Sequence, residues 1–120
     1  MKICAISDLH GILPSVPECD VLCIAGDVVD LLVQRSSDES DAWWSTAFIT
    51  WADKLSCKKI FVVPGNHDIY IEQLYDGLIK DTTLQEFKDK ISLLTNDKVV
   101  FLIDELYEYE EIGRASCRER

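Results

Sequence analysis

The sequence predicts an α/β fold, a layered sandwich of mixed or parallel sheet with flanking helices. Three short apolar segments, at 2–7, 21–26 and 59–65, are continuous rather than alternating in polarity. This pattern is typical of strands that are covered on both faces of a sheet. Segments with helical spacing of apolar residues lie between and after these strands. Strands that alternate with helices favour a largely parallel sheet.

The size and charge of the chain limit the classes of protein to which it can belong. Its 120 residues fit one domain, and 48% hydrophobic with 28% charged residues is ordinary for a globular protein. The 22 acidic residues outnumber the 12 basic ones, so the formal net charge is −10. Such a surface repels phosphate backbones, and no stable nucleic-acid binding is expected. Without a signal-peptide pattern or a bilayer-spanning apolar run, we expect a cytoplasmic protein with no membrane partner. The oligomeric state is left open.

The first two predicted strands, 2–7 and 21–26, contain Cys4 and Cys23, whose thiols behave as small apolar groups in such positions. Cys19 and Cys23 have the spacing of a metal-binding pair. No second Cys/His pair accompanies them at zinc-finger spacing, which favours a structural role.

The segment 40–57 is predicted to form a helix with Ser40 as its N-cap. The spacing of its three tryptophans is open to two interpretations, a platform for a sugar or a base, and packing against the sheet. Recurrence on one helical face favours packing. The apolar residues of this face are Trp43, Trp44, Ala47, Phe48, Trp51, Ala52 and Leu55.

The elements after the strand 59–65 are one helix and two strands. The helix is predicted from Thr83 to about Leu94, because Thr83 and Glu86 have the spacing of a capping box. Its apolar face consists of Leu84, Phe87, Ile91 and Leu94. The apolar run 98–104 predicts a strand, and the alternating run 105–112 predicts a half-buried edge strand.

Polar side chains follow each of the first three strands. Because the carboxyl ends of parallel strands meet at one edge of a sheet, these side chains are expected to lie together. Any one of the loops alone is explained equally well as a turn. The three loops together contain both histidines of the chain, which favours a functional site. The polar positions are Asp8 and His10, then Gly26, Asp27 and Asp30, then Gly65, Asn66, His67 and Asp68.

The residue types at these positions are those of a site for two divalent metal ions. Asp8 and His10 are spaced by two, so in an extended segment they point to the same side, and Leu9 faces the core. Asp27 has two oxygens, enough to bridge two ions, and Asn66 offers a neutral oxygen to the second ion. Such mixed ligands suit Mn²⁺, Fe or Zn²⁺ and do not distinguish them.

His67 and Asp68 are the predicted catalytic pair. His67 would protonate a leaving oxygen or stabilise negative charge on a phosphoryl group, and Asp68 would orient it by a hydrogen bond. A pair of ions about 3.5–4 Å apart activates water and clamps a phosphoryl group, so a small phosphate ester is the expected substrate. A phosphohydrolase with its His-Asp pair on a helix is excluded, because His67 follows a strand.

The blocks "DLH", "GDVVD" and "GNHD" resemble those of the calcineurin-like metallophosphoesterases, in the same order and over residues 1 to about 110. The segment before "GNHD" and the run from 91 to 104 look most like small phosphoesterases of the group that includes the mammalian brain metallophosphoesterase-domain proteins. The resemblance implies a sandwich of two packed sheets, the second beginning with the strands near 98–112. It also implies an acid role for His67 and support of the site by Asp30. Gly26 and Gly65 are the glycines of the family pattern and are expected to support the site as well. The metal ligands that it implies are Asp8, His10, Asp27 and Asn66.

The family pattern continues with a further histidine and a Gly-His-x-His block, which this sequence lacks. We therefore expect residues 1–111 to be the N-terminal part of such a domain and to be inactive as written. Residues 112–120 contain three arginines in an acidic chain and are expected to be a non-native tail. The expected function is a phosphodiesterase. The alternatives are a phosphomonoesterase or nucleotide pyrophosphatase with the same ligands, and a non-catalytic interaction scaffold.

Overall fold

A four-stranded parallel sheet forms the centre of the fold, with its strands in the order β1-β2-β3-β4. The computed structural model describes residues 2–30, 32–65, 68–103, 106–109 and 115–118, the last two ranges by their backbone alone. In register, Ile3 pairs with Val21, and Val21 pairs with Lys59. The α/β class is therefore confirmed. The strands are β1 (Ile3–Ile6), β2 (Val21–Ala25), β3 (Lys59–Val63) and β4 (Val99–Phe101).

The strands differ in burial according to their place in the sheet. Leu22 and Ile24 of β2 and Ile60 and Phe61 of β3 are fully buried, as their continuous apolar runs predict. The prediction that the strands are covered on both faces is wrong for β1, where Ile3 is 48% exposed. Within the described part of the chain, β1 pairs with β2 alone and so lies at an edge of the sheet.

The helical segment between β2 and β3 begins earlier than the sequence predicts. It consists of α1 (Ser37–Trp43), a π-helical stretch (Trp44–Phe48) and α2 (Ile49–Lys54), after a 3₁₀ turn at Val33–Arg35. Ser36 is the N-cap, and its hydroxyl accepts a hydrogen bond from the Glu39 amide at 3.2 Å. Ser40, which the sequence predicts as the cap, does not cap the helix. It lies inside α1, where its buried hydroxyl donates to the Val33 carbonyl at 3.0 Å.

The tryptophans of this segment pack in the core, as the spacing of its apolar residues indicates. The Trp44 ring is fully buried and lies edge-on to Phe48 and Phe101, with ring centroids 4.8 Å and 5.2 Å apart. Ala47 is exposed, against prediction, and Ile49 is buried in its place. A π-helical stretch holds an extra residue per turn, so the buried face shifts along the sequence there.

Two further helices complete the layer, α3 (Ile69–Tyr75) and α4 (Leu84–Leu94). The α4 prediction is confirmed, since the Thr83 hydroxyl accepts from the Glu86 amide at 3.1 Å. Leu94 is nevertheless 49% exposed, because it lies at the end of the helix. The sequence pattern did not predict α3, a helix of two turns. None of the helices in the described residues is long and apolar enough to cross a membrane.

The second sheet is a hairpin of β5 (Leu106–Tyr109) and β6 (Ala115–Arg118), which pair antiparallel. Strand β5 lies within the strand predicted at 105–112, and the other residues of that prediction lie outside the described part of the chain. The strand predicted at 98–104 is β4, which joins the parallel sheet beside β3 and does not begin the second sheet. Strand β6 lies in the segment 112–120, which the sequence predicts to be a non-native tail.

Three free thiols lie together near the amino ends of the parallel strands. They belong to Cys4, Cys19 and Cys57. Cys19 and Cys57 are buried in the core. Burial, together with hydrogen bonds and repulsion from the other two thiols, raises the pKa of Cys19 to about 11. Cys19 therefore stays protonated at neutral pH, which supports the predicted structural role.

Candidate metal centre

The loop that follows β1 is hydrogen-bonded to the loop that follows β2. The Asp8 amide donates to the Gly26 carbonyl at 3.1 Å, and the His10 amide donates to the Asp27 carbonyl at 2.9 Å. These bonds continue the pairing of β1 and β2 beyond the ends of the strands. The carboxyl edge of the sheet therefore carries both loops side by side, as the sequence predicts.

Asp8, His10 and Asp27 come together at this edge and form a candidate metal triad. One ligand atom from each residue lies within 4.8 Å of the other two. Asp8 Oδ1 and His10 Nε2 are 4.0 Å apart. Leu9 between them is buried, as predicted. Donors bound to one ion at about 2.0–2.2 Å lie roughly 3–4 Å apart, so small side-chain rotations suffice to close the site. Two carboxylates and an imidazole fit one divalent cation.

The backbone at the triad is left-handed, not extended. The φ angles of Asp8, His10 and Asp27 are 55°, 48° and 54°. The prediction that Asp8 and His10 converge along an extended segment is therefore wrong, and a turn brings them together. Asp and His are among the few non-glycine residues that adopt this region with any frequency. Such conformations cluster at functional sites, where surrounding structure holds them in place.

Gly26 and Gly65 let two loops approach each other backbone to backbone. A Cβ atom on Gly65 would lie 2.6 Å from Asp27 Oδ1 and 2.9 Å from the Gly26 Cα. Neither distance is tolerated between non-bonded atoms. The glycine at position 65 thus leaves the space that the Asp27 carboxylate occupies. The supporting role expected of both glycines stays a prediction.

Asp68 is buried between the same two loops, with only 1% of its surface exposed. Its Oδ1 accepts hydrogen bonds from the amides of Val28 at 2.9 Å and Val29 at 3.2 Å, and its Oδ2 accepts from the Gly65 amide at 2.8 Å. Burial raises the pKa of this carboxyl, although the three amides act in the opposite direction. The sequence predicts a hydrogen bond between Asp68 and His67, and these contacts with distant backbone amides could not be predicted from it. The Asp68 side chain makes no capping bond to α3.

Asp30 stands beside the triad and holds its own loop. Its Oδ1 accepts from the Leu32 amide at 2.8 Å. A Cβ atom on Gly11, the residue after His10, would lie 2.6 Å from the Asp30 Cβ. The loops after β1 and β2 are therefore in contact here as well. Asp30 is not part of the triad. The supporting role that the family resemblance implies for it stays a prediction.

The predicted ligand Asn66 and the predicted acid His67 lie outside the described residues, so their roles stay predictions. The residues on either side of them are described. The Asp68 amide donates to the Gly65 carbonyl at 3.1 Å, which fixes the distance between the two ends of this short connection.

Comparison with known proteins adds one finding to this geometry. Residues 1–114 match the family model described as calcineurin-like phosphoesterase. No curated protein matches the chain. The matched range contains the whole parallel sheet and all three strand-end loops.

Proposed function

Because the chain belongs to the calcineurin-like phosphoesterase family, we propose that it is a metal-dependent hydrolase of small phosphate esters, with phosphodiesters as its substrates. The observation that carries the proposal is the triad of Asp8, His10 and Asp27 at the carboxyl edge of the sheet. Ligands of open α/β sheets bind outside this edge.

The residues of the triad would hold the first of two divalent ions, Mn²⁺, Fe or Zn²⁺. Asp27 and Asn66 would hold the second ion. Divalent cations at this place would supply Lewis-acid stabilisation of the phosphoryl oxygens. They would also offset the acidic surface, since a chain with a formal net charge of −10 repels an anionic substrate.

The side chains of the triad are accessible from the solvent. The Asp8 side chain is 64% exposed and that of His10 is 39% exposed, so a phosphoryl group can approach them directly. We assign to His67 the protonation of the leaving oxygen, on the basis of the family motif. The Asp68 carboxylate accepts hydrogen bonds from three backbone amides, and its predicted bond to His67 stays a prediction, because His67 lies outside the described residues.

The test measures Mn²⁺ binding by isothermal titration calorimetry and hydrolysis of bis(p-nitrophenyl) phosphate by the same protein. We expect Asp27→Ala to abolish both, because it removes the shared ligand. We expect His67→Ala to keep Mn²⁺ binding and to slow hydrolysis by about 10²–10⁴-fold, the range for a lost general acid. Asp76→Asn is the control, because it removes one negative charge, as Asp27→Ala does, but at an exposed position. It should alter neither Mn²⁺ binding nor hydrolysis.

The outcomes separate the proposal from its alternatives. Faster hydrolysis of p-nitrophenyl phosphate than of the diester would favour a phosphomonoesterase, and cleavage of a nucleotide diphosphate would favour a pyrophosphatase. Failure of the wild-type chain to bind Mn²⁺, or equal hydrolysis by wild type and Asp27→Ala, would overturn the proposal and favour a non-catalytic scaffold. Metal binding is the primary measurement, because it reports on the triad directly and does not depend on the choice of substrate. The cytoplasmic location and the boundary near residue 111 stay predictions.

A further inference from the structure

The Asp68 carboxylate joins the loop after β2 to the loop after β3. It is 1% exposed, and its hydrogen bonds to Val28 and Val29 reach across 40 and 39 positions of the chain. Its other oxygen accepts from Gly65 in the loop after β3. Bonds from backbone amides to an ionised acceptor are shorter and stronger than those between neutral groups. A single side chain therefore fixes two loops at the metal centre.

The two amides on Oδ1 belong to the residues that directly follow the candidate ligand Asp27. Val28 and Val29 are themselves buried, at 0% and 1% exposure. Asp27 has a φ of 54°, a conformation that persists only when the surrounding structure holds it. Two hydrogen bonds immediately after Asp27 restrain the turn in which it lies.

The amide on Oδ2 belongs to the residue that packs against the Asp27 side chain. The Asp27 carboxylate lies so close to Gly65 that a Cβ atom on Gly65 would be 2.6 Å from Asp27 Oδ1. The position of the Asp27 carboxylate is thus set from its own backbone and from the facing loop, and Asp68 restrains both.

We propose that Asp68 is a positioning residue for Asp27, which it holds in the orientation that binds the metal ions. The proposal rests on the proposed function, since it takes Asp27 as a metal ligand. It differs from the catalytic role predicted from the sequence, in which Asp68 orients His67. Partners that orient metal ligands typically contribute roughly 10–100-fold to metal affinity.

The experiment compares Mn²⁺ affinity, by isothermal titration calorimetry, in the wild-type chain, Asp68→Asn and Ile91→Val. Asn keeps the shape of the side chain but places an NH₂ group against a backbone amide, so at least one of the three hydrogen bonds is lost. Ile91 is fully buried in α4, and Ile91→Val lowers stability without touching the loops. Far-UV circular dichroism shows whether each variant is folded.

We expect Asp68→Asn to weaken Mn²⁺ binding by roughly 10–100-fold and Ile91→Val to leave it within twofold. If Asp68→Asn does not fold, Asp68→Glu replaces it, because it keeps the charge and moves both oxygens by one methylene. A folded Asp68 variant with unchanged affinity would overturn the positioning role. An equal loss of Mn²⁺ affinity in Ile91→Val would also overturn the positioning role, since the effect would then be one of general stability.

Hydrolysis of bis(p-nitrophenyl) phosphate separates this inference from the proposed function. A wild-type chain that binds Mn²⁺ without hydrolysis would contradict the proposed function, while the affinity of Asp68→Asn would still decide the role of Asp68. Hydrolysis by the wild type, with unchanged Mn²⁺ affinity in Asp68→Asn, would contradict the positioning role alone.

Discussion

The three residues of the metal triad adopt backbone conformations that cost free energy. Asp8, His10 and Asp27 all have φ near 50°, and a non-glycine residue in this region costs on the order of 1–3 kcal/mol. The hydrogen bonds between the two loops, from Asp8 to Gly26 and from His10 to Asp27, oppose this cost. A strained arrangement that brings three ligating groups together is expected at a site where a bound cation recovers the energy.

Gly65 provides a test of how closely the loops must approach. A Cβ at this position would lie 2.6 Å from Asp27 Oδ1, so we expect Gly65→Ala to displace the carboxylate and to weaken Mn²⁺ binding at least tenfold. Gly77→Ala is the control. Gly77 has a φ of +73° with nothing within 4 Å, so its variant should lose about 1 kcal/mol of stability with unchanged Mn²⁺ affinity. Calorimetric titration and urea unfolding of both variants measure the two effects, and equal Mn²⁺ affinity in Gly65→Ala and wild type would contradict the prediction.

At this scale the sequence could predict which residues of the candidate triad come together but not how they are held. The order Asp-x-His and Gly-Asp identifies these side chains as candidate ligands, because residue type determines ligand chemistry. The left-handed turns and the bonds of Asp68 could not be predicted, because they depend on contacts between Asp68 and Val28, 40 positions apart. Local propensity contains no information on such pairs.

The helices α1, α3 and α4 are joined by one carboxylate, that of Asp41 in α1. Its Oδ1 accepts from Lys90 Nζ at 2.6 Å, and its Oδ2 accepts from the Tyr70 hydroxyl at 2.7 Å. The Asp41 side chain is 30% exposed. Burial alone would raise the pKa of Asp41, but the hydrogen bonds from Lys90 and Tyr70 outweigh it and hold the pKa below its usual value.

Stability should therefore depend on the ionisation of Asp41. The carboxyl has an ordinary pKa of 3.8 in the unfolded chain and a lower one in the folded chain, so the unfolded state binds the proton more readily. The stabilisation is complete above this value and is lost as the pH falls through the folded pKa. We expect the difference in free energy of unfolding between wild type and Asp41→Asn to be largest near neutral pH and to narrow between about pH 5 and pH 3.

Urea unfolding over this pH range measures that difference. Asp53→Asn, at an exposed position of α2, is the control for the loss of one negative charge. If the difference in free energy of unfolding between wild type and Asp41→Asn stays constant down to pH 3, the ionised form of Asp41 does not join the helices.

The helices also show how far element boundaries can be predicted. The α4 boundary was correct at its start because the Thr83 cap and the apolar spacing agree. The sequence predicts Ser40 as the N-cap of α1, whereas the structure has Ser36 there. Both serines precede acidic residues, and only the tertiary structure decides between them. The helix α3 has seven residues, too few for a periodic pattern to stand out.

At the scale of the whole molecule, the topology explains why distant segments of the chain form one site. All neighbouring strands of the main sheet are parallel, so the loops after β1, β2 and β3 leave from the same edge. This convergence could be predicted from three apolar runs, because parallel pairing follows from alternation with helices. The partners of β4 and of β5 could not be predicted, since adjacent apolar runs do not show to which sheet each belongs.

The last prediction concerns the stability of the whole chain in the presence of metal. Anything that binds the folded state and not the unfolded state raises the free energy of unfolding by about 2.7 kcal/mol at a concentration 100 times its dissociation constant. For a domain of this size that corresponds to a rise in Tm of roughly 10 °C. We expect Mn²⁺ to raise the Tm by this amount and a chelator to reverse the rise.

The acidic surface requires a control, because a formal net charge of −10 also attracts cations without a specific site. KCl at the same ionic strength reproduces the screening but not the coordination, and should raise the Tm by only a small part of the Mn²⁺ effect. Asp27→Ala keeps most of the charge and removes the shared ligand, so its Tm should respond to Mn²⁺ no more than to KCl. An equal rise in wild type and Asp27→Ala would assign the stabilisation to the surface charge and not to the triad.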